Sequence, residues 1–249
     1  KGPFLQRASR GLRIYGRTPR LRGLFLLNLA LSLAMAWVLV NSVVYAGARL
    51  GDAERFFPML MLFYGFGAGI GAFVVPRLLT WTIERSVMLA GAYGFALTGV
   101  VFAVLPPMPF PALAVIWAIF GVTSSLVLTP GGLVITRSAA SEDRAAVFAA
   151  QFSLSHAGWL VAYPLAGWLG GMASLEVSLM ILSLAGAVVA TIGMSVWPAD
   201  DPLRRDHSHP ELPVDHPHLK LVPAKGLHNS HVHDFYIDEL HPQWKRATD

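Results

Sequence analysis

The sequence predicts an all-α polytopic membrane protein: six transmembrane helices, then a disordered polar tail. Three observations carry that reading. Of the 249 residues, 54% are hydrophobic and only 14% charged, against about a quarter charged in soluble domains. The apolar residues come in long blocks, each near the roughly 20 residues a helix needs to cross ~30 Å of hydrocarbon. Lys and Arg are spread unevenly between those blocks, as a membrane orientation signal requires. Cysteine is absent, which excludes disulfides, thiolate metal sites and cysteine nucleophiles. The net charge of +4 is modest and lies outside the apolar blocks, so no nucleic-acid partner is expected. No enzymatic site is expected either.

Residues 1–22 carry basic side chains and no acid, and are expected to form a basic cytoplasmic segment. Residues 23–197 form the membrane domain. Its first span, Gly23–Ala48, contains Asn28 and Asn41, which read as interhelical hydrogen-bonders or, less simply, as solute contacts. The second, Phe57–Leu79, holds YGFGAGIGA, where Gly65, Gly67, Gly69 and Gly71 make two overlapping G-x-x-x-G spacings that suit close helix packing. Tyr64 opens that stretch and joins the candidate pathway residues. The third span, Arg85–Leu105, ends at LPPMPFP because prolines cannot continue a helix. In the fourth, Pro111–Ile135, the hydroxyls of Thr123, Ser124, Ser125 and Thr129 precede Pro130, where they can satisfy carbonyls freed by the proline or border a discontinuous helix.

The stretch 137–171 begins with a charged hinge (Arg137, Glu142, Asp143, Arg144) and becomes the fifth span. An ionisable side chain inside a bilayer is costly and marks function by default, so His156 is the leading candidate for a proton or substrate pathway. Ser153, His156, Tyr163, Gly167 and Gly171 share one broad helical face; Gln151, two residues before Ser153, joins the candidates. Imidazole is the side chain that changes charge near neutral pH, which suits proton coupling. The equally plain alternative is a histidine hydrogen-bonded between helices. The sixth span, Ser174–Trp197, is almost purely apolar and reads as lipid-facing. With the N-terminus inside, only Arg49 and Arg55 fall outside, so both termini are expected in the cytoplasm of a cell (inner) membrane.

Six spans, short loops, the glycine-patterned second helix with YGFGAGIGAFVVPRLLTWTIERS and the basic hinge before RAAVFAAQFSLSHAGWLVAYPLAGWLGG together resemble the C-terminal half of a major facilitator superfamily transporter, over about residues 20–197. The resemblance implies half of a 12-helix fold, residues 1–22 as the loop between halves, an N-terminal six-helix half as partner, and gating loops in which Arg77, Arg85, Arg137 and Arg144 are the basic residues. It further implies secondary active transport of a small molecule or ion. Proton-coupled export of a small solute is the expected function.

The tail, residues 198–249, is rich in Pro, His and Asp and too poor in apolar residues to build a core. It carries three H-x-H pairs, His207/His209, His216/His218 and His231/His233, with His228 and His241 nearby. In an extended chain residues i and i+2 point the same way, so a pair can offer two imidazoles to one divalent transition metal. The alternative is a flexible spacer; no other cofactor is expected. Within the resemblance, such tails imply nickel-like metal efflux as a second function. Two other six-span classes fit less well. A rhomboid-type protease lacks its G-x-S-G, and a cation diffusion facilitator lacks its intramembrane Asp. A non-transporting scaffold or receptor stays open.

Overall fold

The computed structural model describes residues 4–209, 212–213, 216–221 and 230–244. The chain runs α1 (Phe4–Arg17), α2 (Pro19–Leu50), α3 (Ala53–Leu78), α4 (Glu84–Val104), α5 (Phe110–Leu128), α6 (Gly131–Ser138), α7 (Arg144–Met172), α8 (Leu175–Val196), β1 (Arg204–His207), α9 (Pro217–Leu221) and β2 (His231–Asp234). Six segments are long and apolar enough to cross a membrane: α2, α3, α4, α5 continued by α6, α7 and α8. By length and composition these are six candidate membrane-spanning helices.

Local signals set the boundaries. Pro19 occupies the first turn of α2, where its missing N–H costs nothing, and Gly51 ends that helix at φ 78°, a conformation that favours glycine. The Asp52 carboxylate accepts from the Arg55 N–H at the start of α3, and the Ser174 hydroxyl from the Val177 N–H at the start of α8. The fourth span breaks for one turn at Thr129–Pro130. The upstream hydroxyls do not cap the carbonyl that Pro130 frees. Thr123 donates to Ile119 and Ser124 to Gly121, whereas Ser125 crosses to the Ala68 carbonyl of α3 at 2.6 Å.

Helix α2 is the central post. It packs on α8, α7 and α3, while α3 packs on α5 and α4 on both α5 and α8. Exchanging α2 with α5, α3 with α7 and α4 with α8 maps five of these six pairings onto one another: α3–α5 becomes α7–α2, α2–α8 becomes α5–α4, and α4–α8 is unchanged, while α2–α3 has no comparable α5–α7 counterpart. An exchange of three-span units inverts their direction across the bilayer, the pattern of an inverted repeat. The exchange partners α3 and α7 are also the two least covered spans.

Without a hydrophobic drive between helices in lipid, contact rests on close packing and hydrogen bonds. A Cβ at Gly67 would lie 2.0 Å from the Ala118 carbonyl oxygen, and one at Gly121 2.0 Å from that of Tyr64, so α3 and α5 touch backbone to backbone. Gly65 and Gly69 face open space. The buried indoles are paired, Trp37 Nε1 donating to Ser178 (2.9 Å) and Trp117 Nε1 to Ser42 (3.1 Å). With Tyr45 and Phe102 they form an edge-to-face cluster around α2. Helix α8 is not simply lipid-facing. Its Ser178, Leu179, Leu182, Gly186 and Ala190 are buried, and only the opposite side, including Leu184 and Val188, is exposed.

Outside the spans the described residues add two pieces of local structure. Residues 4–17 are a helix, α1, laid against α7 by buried Ile14 and Tyr15 and by Arg10 on Asp143 (2.7 Å). In the tail, the described residues are not without structure. β1 and β2 pair antiparallel, with His207 opposite His231 and Arg205 opposite His233. What the composition understated is that the tail's interior is made of imidazole rings, with Leu219, Phe235 and Ile237 beside them.

Candidate metal centre

Alternation along the two strands places the tail histidines. Successive strand residues point to opposite faces, so Arg205 and His207 of β1 and His231 and His233 of β2 share the inner face. His209 follows β1, His218 comes from α9, and His241 returns beneath Phe235. His207, His209, His231 and His241 are each 5% exposed or less. Two overlapping groups, His207/His209/His218/His241 and His207/His218/His231/His233, each bring four ring nitrogens within 4.8 Å of one another. The buried cluster could hold a metal ion.

The outer nitrogens are anchored, which fixes what the inner ones offer. His207 Nδ1–H donates to the Arg205 carbonyl (3.2 Å), His233 Nδ1–H to that of Asp234 (2.7 Å) and His241 Nδ1–H to the Asp238 carboxylate (2.8 Å). A ring that donates from Nδ1 presents a lone pair at Nε2. Hydrogen-bonding partners behind metal-ligating imidazoles fix orientation and tautomer in this way. His241 Nε2 and His207 Nε2 then meet lone pair to lone pair at 2.9 Å. No hydrogen bond can form there between neutral rings, and a cation is what such a pair can bind. Burial pushes the His207 pKa down to about 3 and His218 to about 4, with neighbouring imidazoles adding to the effect. Both rings are therefore neutral ligands at neutral pH. Burial pushes the Asp238 carboxyl up, but its hydrogen bonds and its attraction to His241 outweigh that and lower the pKa from its ordinary value.

Sequence reasoning missed how this tail meets the helices. Asp201 lies between Arg20 of α2 (3.0 Å) and Arg205 of β1 (2.9 Å), all three nearly buried, and both guanidiniums stack on Trp244 at 4.9 and 4.6 Å. Arg17 also donates to the Pro242 carbonyl. Beside this junction a cavity of about 220 Å³ is lined by Arg20, Glu84, Arg85, Arg137 and Asp201. Only charge pairing in three dimensions reveals it, since the partners lie on five separate segments.

The predicted loop arginines have distinct surroundings. Arg137 pairs with Glu84, and its carbonyl accepts from Arg20. Arg85 donates to the last carbonyls of α8, at Met194 and Trp197, where a cation complements the helix dipole. Arg144 donates to the Ala139 carbonyl, and Arg77 is exposed.

The membrane candidates do not converge on one point. Ser153, His156 and Tyr163 lie on the uncovered side of α7; His156 stacks on Phe152 and its Nδ1 contacts the Phe152 carbonyl, while Tyr163 stacks on Trp159. Gln151 accepts from Tyr15 and so ties α7 to α1. Asn28 donates within its own helix to Leu24, whereas Asn41 donates across to Ala166 of α7 at 3.0 Å. The Tyr64 hydroxyl donates to Ser124 at 2.9 Å, also near Met35 sulfur, linking α3, α5 and α2. Of the tail histidines, His216 stays outside both metal groups, its Nδ1 accepting from the His218 N–H at the start of α9. His228 lies outside the described residues. Comparison with protein families, curated proteins and solved structures finds no match to this chain.

Proposed function

We propose that the chain is one six-helix unit of a secondary transporter in the cytoplasmic membrane, and that its cytoplasmic tail binds a divalent transition metal to which export is tied. The observation that carries the metal reading is the inward meeting of buried imidazole nitrogens whose outer nitrogens are already anchored. The transporter reading is supported by the approximate exchange symmetry of the helix pairings, broken at α2–α3, and by the open faces of α3 and α7. A second six-helix unit would cover those faces and enclose a pathway flanked by His156, Ser153 and Tyr163.

Proteoliposomes holding the protein test this directly. Export of Ni(II), Co(II) or Zn(II) that is lost in a His207→Ala/His218→Ala variant supports metal as cargo. Proton-coupled movement of an organic solute that responds to metal supports the same fold with the ion as a signal, a reading favoured by the absence of a metal-ligand cluster within the spans among the described residues. Absence of any metal binding by the purified protein refutes both. A His156→Ala variant with unchanged rate and pH dependence would remove His156 from the pathway.

A further inference from the structure

The metal reading leaves two questions, which ion is held and whether it passes through. The placement of the six rings bears on both. His209, His231, His233 and His241 form a closed belt in which successive ring centres are 5.4, 5.1, 5.3 and 5.0 Å apart. His207 sits 4.5–5.1 Å from every member of the belt. His218 sits 4.9–5.2 Å from every member as well. The two are 6.4 Å from each other. A square with a pole on each side is an octahedron.

Four nitrogen separations lie along edges of this figure, and the nitrogens fall into two overlapping groups of four within 4.8 Å that share both poles. The Nε2 separations are 2.9 Å (His207–His241), 3.0 Å (His218–His231), 3.1 Å (His209–His241) and 3.3 Å (His218–His233). Each joins adjacent vertices and none joins opposite ones. Six imidazoles at about 2.1 Å from one ion would stand about 3.0 Å from their neighbours, and four in a tetrahedron about 3.4 Å.

We propose that His207, His209, His218, His231, His233 and His241 form a single six-coordinate, all-imidazole site for one divalent first-row ion that prefers octahedral geometry, Ni(II) foremost. The proposal rests on the metal reading above and narrows it. Zn(II) has no electronic preference for six ligands and settles with four. Cu(II) favours a tetragonal arrangement that a regular octahedron resists, and below it in intrinsic affinity stands Ni(II). The geometry also sets the role. Protein nitrogens fill every position, leaving none for water or an acceptor ligand, so the ion is retained and not handed on. Its ligands come from β1, α9, β2 and the segment after it, so the ion fastens together pieces far apart in sequence. Arg205, two residues before His207, carries that fastening to Asp201 and Arg20.

The test uses the purified full chain in detergent, with Ni(II) and Co(II) alone as ligands. X-ray absorption should count six nitrogens around Ni(II), and bound Co(II) should show the weak absorption of a six-coordinate ion. One ion should bind per chain. His209→Ala and His233→Ala should each weaken binding by at least ~10-fold, the loss seen even when only a supporting partner is removed. A tetrahedral site built from one group of four would leave one of these variants silent, because each group lacks one of the two residues. Four nitrogens, intense tetrahedral Co(II) absorption, two ions per chain or a silent variant would each overturn the octahedral site while metal binding itself stood. No binding at all would overturn both. The spectra of the unsubstituted protein decide the matter even if a variant does not fold.

Discussion

Gly67→Ala and Gly69→Ala differ by two residues in one helix, yet opposite outcomes are expected. A Cβ at Gly67 would stand 2.0 Å from the Ala118 carbonyl oxygen, with the Ala118 backbone carbons at 2.7 and 2.8 Å. Carbon atoms pack best at about 3.5–4.0 Å, so α3 and α5 must separate by more than 1 Å, against backbone that has no rotamer to yield. Overpacking of this kind costs about 1–3 kcal/mol. The separation also strains the Ser125 hydrogen bond to Ala68. Alanine recovers up to ~1 kcal/mol of helix propensity, leaving a net loss of up to about 2 kcal/mol. At Gly69 nothing lies within 4 Å, so only the propensity gain remains. Unfolding by denaturing detergent in mixed micelles, followed by circular dichroism, measures both. Equal stability of the two variants would refute the backbone contact between α3 and α5. Gly121→Ala, the reciprocal position, should match Gly67→Ala.

Two further outcomes concern the tail. Asp201→Ala leaves Arg20 and Arg205 buried without their shared carboxylate; breaking a buried pair from one side costs about 3–5 kcal/mol, so limited proteolysis should cleave the tail far faster than in the unsubstituted protein. Acidification should loosen it as well. Unfolded histidine takes up a proton near pH 6.5, but His207 resists until about 3 and His218 until about 4. The tail therefore keeps its full stability above pH 6.5 and loses it as pH falls towards 4. Trp244 fluorescence of the metal-free protein reports this, and a flat signal from pH 7 to 4 would contradict the burial of these rings.

The spans were legible because hydropathy is a one-dimensional property: each predicted span differs from its helix by a few residues, the largest extensions being α2 back to Pro19 and α3 back to Ala53. Packing was not. Glycines two residues apart lie on opposite sides of a helix, so YGFGAGIGA offers two equal stripes, and only α5 shows that Gly67 and Gly71 carry the contact. Helix α1 was hidden by its arginines, which read as loop although Ile14 and Tyr15 mark a buried side. In the tail, pairing by two held where the chain is a strand, at His231 and His233, and failed at His216 and His218, where a helix begins. No scale that counts imidazole as polar would find an interior built from it.

Helix α1 has a mechanical consequence. It grips the N-terminal part of α7 twice, through Arg10 on Asp143 and Tyr15 on Gln151, and grips the tail through Arg17 on Pro242. A rod joined to both cannot stay still while either swings. Any tilt of the fifth span must therefore be felt at the histidine-bearing end of the chain, and any clamp on that end must act as a brake on the tilt.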